Sequence, residues 1–229
     1  MPDTTPRERP IIFSAELVRK LLAGSKTQTR RVVKPQPPPR VCRLIRQNDG
    51  AYVEATPGDM PLTGDWDCRC PYGEPGDHLW VKEAAIKIGH ERTVRGCYPW
   101  PKFGSPDDGR HWFDKSCEYA ADLSYGHPLR DEPHGTLHPW YMPRWASRIT
   151  LEITGVRVER LHDITEQDAA AEGFCETRER IGNGIHWSSA RGHFVEGWDR
   201  INGKRHPWDS SPWVWAISFQ QLSQKGGGQ

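Results

Sequence analysis

The alternation of hydrophobic and polar positions divides the chain into short elements separated by long polar stretches. Ile11-Ile-Phe13 predicts a strand. Ser14 then stands where an N-cap is needed, and Glu16 falls in the first turn, near the positive end of the helix dipole. Leu17, Val18, Leu21 and Leu22 form one apolar stripe that Gly24 ends. Residues 25–31 read as a loop leaving that helix, Val32-Val33 as the start of a strand, and Pro35-Gln-Pro-Pro-Pro39 as extended chain. After a turn at Glu74-Pro-Gly-Asp77, Leu79-Trp-Val-Lys-Glu83 alternates as a half-buried strand does.

The clearest β pattern lies between Ser147 and Leu161. Ile149, Leu151 and Ile153 share one face, and Val156 and Val158 resume the alternation one residue out of phase, which predicts a bulge at Thr154-Gly155. Thr165 and Asp168 are spaced as a capping box for a short helix through Ala169-Ala-Ala171 that Gly173 ends. Phe194, Trp198 and Ile201 mark another helix, closed by Gly203, and residues 212–219 a last strand.

Strands with helices at the margins imply an α+β fold around a small mixed sheet or barrel. The reading is one domain over 10–220, with insertions at 34–73 and 86–145 where turn formers crowd and periodicity fades, and a disordered tail at 221–229. Its expected core includes Leu17, Leu21, Val81, Ile149, Leu151, Ile153 and Phe219. Eleven Trp, 20 Pro and 22 Gly disfavour an all-α fold, since they demand many turns pinned by large aromatics.

No apolar run approaches the ~18 residues that cross a bilayer, and the first residues lack the apolar core of a signal peptide. A cytoplasmic protein is expected, with its six cysteines reduced. Net charge is +1, but residues 1–50 alone carry +7 and the remainder −6. Such asymmetry fits an anion-binding face, nucleic acid being the commonest large polyanion, and fits a scattered solvated surface equally.

The chemistry concentrates in Ala23-Gly-Ser-Lys-Thr-Gln-Thr-Arg-Arg31. Lys26 and Thr29 stand three apart, although a cationic helix C-terminus is also what the dipole alone favours. A Thr hydroxyl needs a neighbouring base to become a nucleophile, and a Lys serves as one only if its pKa is lowered. Glu172 sits at the wrong end of its short helix for a carboxylate and calls for a cationic partner; the alternative is an exposed side chain paired with nothing. Arg30 and Arg31 could clamp a phosphate bidentately or simply solubilise the surface. Glu83 could approach the same cleft or pair with an Arg. Trp80 and Trp145 read as packing side chains, and Arg144 and Arg148 as candidates to face a polyanion. Cys68-x-Cys70 has the wrong spacing for a zinc ribbon, whether completed by Cys97, Cys117 or the His134/His138 pair. With no Walker loop, dinucleotide glycine motif or His-Glu-x-x-His present, no metal or cofactor is expected.

Gly24-x-Lys26-x-x-Thr29-x-Arg31, then Pro75-Gly-Asp77 opening a strand, then Ile164-Thr-Glu-x-x-Ala-x-x-Glu172-Gly173, resembles the ASCH family within the PUA-like superfold. The wider wording, with Met142-Pro-Arg-Trp-Ala-Ser-Arg148 and Trp213-Val-Trp215, is similar to ASCH proteins of bacteriophages and prophages. The resemblance implies a β-barrel of five or six strands with peripheral helices, and a cleft for RNA, a nucleotide or a modified nucleoside. Some small members are amidohydrolases that remove acetyl from N4-acetylcytidine. Lys26, Thr29 and Glu172 match their catalytic positions, with Thr29 as nucleophile, Lys26 as base and Glu172 as orienter or proton shuttle. Arg30, Arg31, Glu83, Arg144 and Arg148 would contact substrate or nucleic acid. A catalytically silent binding module and a phage structural or morphogenetic factor are the alternatives.

Overall fold

The computed structural model describes residues 5–39, 41–55, 66–87, 117–119, 136–181 and 184–222. Two compact units interleave along the sequence, one comprising 1–7, 24–78 and 152–220, the other 8–23, 79–151 and 221–229. The architecture is α+β. Strands β1 (Glu8–Ile12), β2 (Gln28–Val32), β6 (His78–Lys82), β10 (Thr150–Arg160) and β13 (Trp213–Leu222) form a five-stranded sheet in the order β1-β6-β10-β13-β2. Among the described residues this sheet does not close into a barrel.

In the first unit β2 runs antiparallel to β13, with Gln28 opposite Ser218, Thr29 opposite Ile217, Arg30 opposite Ala216 and Arg31 opposite Trp215. Side chains alternate across a strand, so Gln28, Arg30 and Val32 share one face and Thr29 and Arg31 the other. The Arg30 face is covered by α2 (Glu166–Ala171) and α3 (Ala190–Asn202). There Leu161, Ile164, Ala169, Ala190, Phe194, Trp198 and Val214 form one buried cluster that Val32, Phe174 and Trp208 flank. Thr165 caps α2 as its spacing predicts: its hydroxyl accepts from Asp168 N, and Asp168 accepts from Thr165 N. Gly173 then takes φ +90°, the left-handed conformation that lets the chain leave the helix.

The described residues of the insertion 34–73 carry strands of their own. Its strands β3 (Leu44–Arg46), β4 (Tyr52–Glu54) and β5 (Asp67–Cys68) form an antiparallel sheet of order β3-β4-β5. Tyr52 packs its ring edge-on to Trp215 at 5.2 Å and donates its hydroxyl to Val156 O at 2.9 Å. A hairpin of β11 (Thr177–Ile181) and β12 (Gly184–Ser188) follows α2.

In the second unit α1 (Ala15–Leu22) begins where Ser14 Oγ accepts from Leu17 N, and it buries Val18 and Leu21. Phe13, Leu79, Val81, Met142, Ile149 and Leu151 are buried in the same unit. Ser147 Oγ lies 2.8 Å from Val81 O and 3.1 Å from Ile149 O. The short strands β7 (Ala85–Lys87), β8 (Cys117–Tyr119) and β9 (Thr136–Leu137) make a small sheet of order β8-β7-β9.

Several expectations change. Gln28–Arg31 is strand, not loop, because β13 supplies the hydrogen-bonding edge that makes polar residues extend. Leu17 is only half-buried, and Ile201 is 66% exposed because the last turn of α3 lies outside the aromatic cluster. The final strand runs on to Leu222, two residues into the expected tail, while 223–229 lie outside the described residues, as does most of the insertion at 86–145. No helix among the described residues is long and apolar enough to cross a membrane.

Candidate functional site

The site is built where the chain leaving α1 meets the end of α2, within the first unit. The last carbonyls of a helix have no intrahelical partner. Here Thr27 N donates to Ala171 O at 2.8 Å, and Lys26 Nζ donates to Glu172 O at 3.0 Å. The same ammonium lies 2.7 Å from Glu172 Oε2 and donates to Gln28 O at 2.8 Å. Lys26 is 2% exposed and Glu172 4%, although 145 residues separate them along the chain. The carboxylate that opposes the dipole of α2 thus has a cation beside it, and that cation also caps the helix.

Around this pair lies a partly buried ionic network. Arg30 places Nη1 3.5 Å from Glu172 Oε1 and 2.8 Å from Gln28 Oε1, and Nη2 2.5 Å from Glu159 Oε1 and 3.3 Å from Asp168 Oδ2. Arg157 bonds the second oxygens of the same two carboxylates, Glu159 Oε2 at 2.7 Å and Asp168 Oδ1 at 2.6 Å. Lys26, Arg30 and Arg157 therefore balance Glu159, Asp168 and Glu172. Charges removed from water at a cost of several kcal/mol each are tolerated only when so matched. Burial alone would raise the Asp168 pKa, but the bonds from Arg157 and Thr165 outweigh it and hold the carboxyl below its usual value. Arg157 is held above its usual value, its bonds to Glu159 and Asp168 outweighing burial. The Phe194 ring lies 5.8 Å beneath the Arg30 guanidinium.

Lys26 and Glu172 are brought together, while Thr29 lies on the other face of β2 from Arg30. Thr29 is 1% exposed, and its hydroxyl accepts from Arg31 Nη1 at 3.1 Å. Arg30 is occupied by carboxylates and is not a free phosphate clamp. Glu83 is a structural partner: Arg148 Nε and Nη2 grip its two oxygens at 3.0 Å each, in the second unit. Arg144 bonds both oxygens of Glu8 in the same unit. The Lys26 side-chain nitrogen has three acceptors within hydrogen-bonding distance, a geometry that fits an ammonium with all three protons engaged. A separation of 2.7 Å from Glu172 permits direct proton exchange between the two.

Glu159 and Arg157 were not foreseen. Their signal was present: two residues of opposite charge, two apart in the strongest strand of the chain, lie on one face and can pair there. Cys68 is half-buried, and burial, with Asp67 and Cys70 adding to it, pushes its thiol up to about 12. A thiol so reluctant to ionise is a poor metal ligand. Cys97 and His134 lie outside the described residues, among which no group of three or more His, Cys, Asp or Glu could hold a metal ion.

No protein-family model, curated protein or solved structure matches the chain.

Proposed function

We propose that this chain is an ASCH-type protein of the PUA-like superfold that recognises a nucleoside, free or as part of a nucleotide or RNA, and that in its catalytic form it hydrolyses an N4-acylated cytidine. One observation carries the reading: Lys26 and Glu172, the two distant positions that the resemblance pairs, meet at 2.7 Å in a buried site. In the reaction, either water adds to the acyl carbonyl and the bond from that carbon to N4 breaks, or the Thr29 hydroxyl adds, the same bond breaks, and water then hydrolyses the Thr29 ester. In both, the nucleophile gives up a proton and N4 leaves with one. The products are cytidine and acetate. A buried ammonium beside a carboxylate suits the delivery of that proton.

A silent binding module is the second reading, favoured by the full engagement of the Lys26 ammonium and by the distinct face that Thr29 occupies. Incubation with N4-acetylcytidine followed by mass spectrometry separates the two, with Glu172→Gln as control. Acetate release that Glu172→Gln abolishes supports the hydrolase. Binding without release supports the module. Neither binding nor release from any of a panel of acylated nucleosides overturns both, and leaves a phage structural or morphogenetic role ahead.

A further inference from the structure

The segment from Pro139 to Arg148 plays no part in the Lys26 site, yet with Trp80 and Lys82 it builds a distinctive surface in the second unit. Trp140 and Trp145, in two successive 3₁₀ turns at Pro139–Tyr141 and Arg144–Ala146, are 70% and 50% exposed. Exposed Trp is costly in water, and here two fall within six residues. Lys82 Nζ lies 5.2 Å from the centroid of the half-buried Trp80 ring and donates to Trp140 O at 2.7 Å. One ammonium is thereby held over the Trp80 ring and against the main chain of Trp140. The Arg144 guanidinium stands 5.9 Å from the Trp80 ring while Glu8 neutralises it. Arg148 is likewise neutralised by Glu83. Lys82 differs: no carboxylate pairs with it among the described residues, and burial alone lowers its pKa.

A cation with no carboxylate partner among the described residues, held over one aromatic face with exposed tryptophans close by in sequence, suits a ligand that carries both a negative charge and a flat ring. We infer that the surface formed by Trp80, Lys82, Trp140, Arg144 and Trp145 is a stacking platform for single-stranded nucleic acid, on which unpaired bases stack against the exposed Trp rings and Lys82 meets a backbone phosphate. Unpaired strands fit because a duplex hides the ring faces that Trp would cover. The choice of nucleic acid rests on the nucleoside reading above, while the platform's residues are separate from those of the Lys26 site.

The test is fluorescence anisotropy with a labelled oligouridylate of about twelve nucleotides, a length within the site sizes of single-strand binders. Trp140→Ala should weaken binding roughly tenfold, the effect of losing one stacked base. Its exposure means that the melting temperature and far-ultraviolet circular dichroism should stay those of the wild type. Lys82→Gln should flatten the slope of log affinity against log salt by about 0.7, the value of one phosphate contact on a single strand, and Lys82→Arg should restore it. A wild type that fails to bind at low salt, or variants that bind as the wild type does, would overturn the inference. Acetate release without oligonucleotide binding would remove the platform and leave the nucleoside reading standing. Binding that maps to Trp140 and Lys82, without activity or affinity for nucleosides, would do the reverse.

Discussion

At the scale of single residues, the position of Lys26 changes what its substitution should do. A cation at the protein surface could be removed at little cost, but this one is buried against Glu172, and removing one partner of a buried pair strands the other. Lys26→Met should therefore lower the unfolding free energy by roughly 3–5 kcal/mol in urea titration. A loss below about 1 kcal/mol would mean that the pair is not buried in solution. Any activity lost in that variant must be read against its stability. Glu172→Gln, which keeps the shape and one acceptor oxygen, is the milder probe. Asp168 makes a further prediction, with the sign fixed by its depressed pKa. A carboxyl whose folded pKa lies below its unfolded value contributes stability above the unfolded pKa, and that contribution is lost as pH falls through the folded one. For Asp168 the loss should begin near pH 3.8 and continue below it. Urea midpoints measured from pH 6 to pH 2.5 should fall less steeply in Asp168→Asn than in wild type; equal slopes would refute the assignment.

At the scale of elements, α3 offers a contrast within one helix. A methyl group added at Gly192 meets only Ser189 Oγ at 3.6 Å, whereas one added at Gly197 meets the Phe174 ring at 3.0 Å. Helix propensity favours alanine over glycine by about 1 kcal/mol at both positions. Gly192→Ala should therefore raise the melting temperature, and Gly197→Ala should lower it or leave it unchanged because the Phe174 ring has to move. The same sign at both positions would show that the α3 packing is not as described. The neighbouring α2 has only six residues and depends on its two ends, the Thr165–Asp168 capping box and the Lys26 and Thr27 donors. A helix that short does not form on its own. It exists because both ends are held, and that is what positions Glu172.

At the scale of the whole molecule, the charge imbalance between residues 1–50 and the rest is less available than its magnitude suggests. Lys26 and Arg30 are consumed by carboxylates of the remainder, and Arg46 faces Glu74, also of the remainder. Nucleic-acid binding driven by the few cations that remain unmatched should have a shallow salt dependence. We expect a slope of about −1 to −2 in log affinity against log salt, one to three phosphate contacts, rather than the steep value that seven free charges would produce. Titration between low and physiological salt measures it directly.

What could be read from the sequence was local. Ser14, Thr165 with Asp168, and the Ile149, Leu151 and Ile153 alternation specify caps and strand faces through interactions that span a few residues, and the structure forms them accordingly. Gly182-Asn-Gly184 between two polar runs is a hairpin signal of the same kind, but the flanking residues carry too little hydrophobic alternation to identify strands on either side of it. What tertiary structure decided was every pairing across distance. That Gln28–Arg31 is a strand follows from the edge of β13, nearly two hundred residues away. That strand in turn puts Thr29 and Arg30 on opposite faces, a fact the three-residue spacing from Lys26 could not contain. Glu83 chose Arg148, and Glu172 chose Lys26, because a buried charge is stable only beside its opposite. Which opposite charge lies within reach is set by the packing of the sheet and helices, not by the order of residues along the chain.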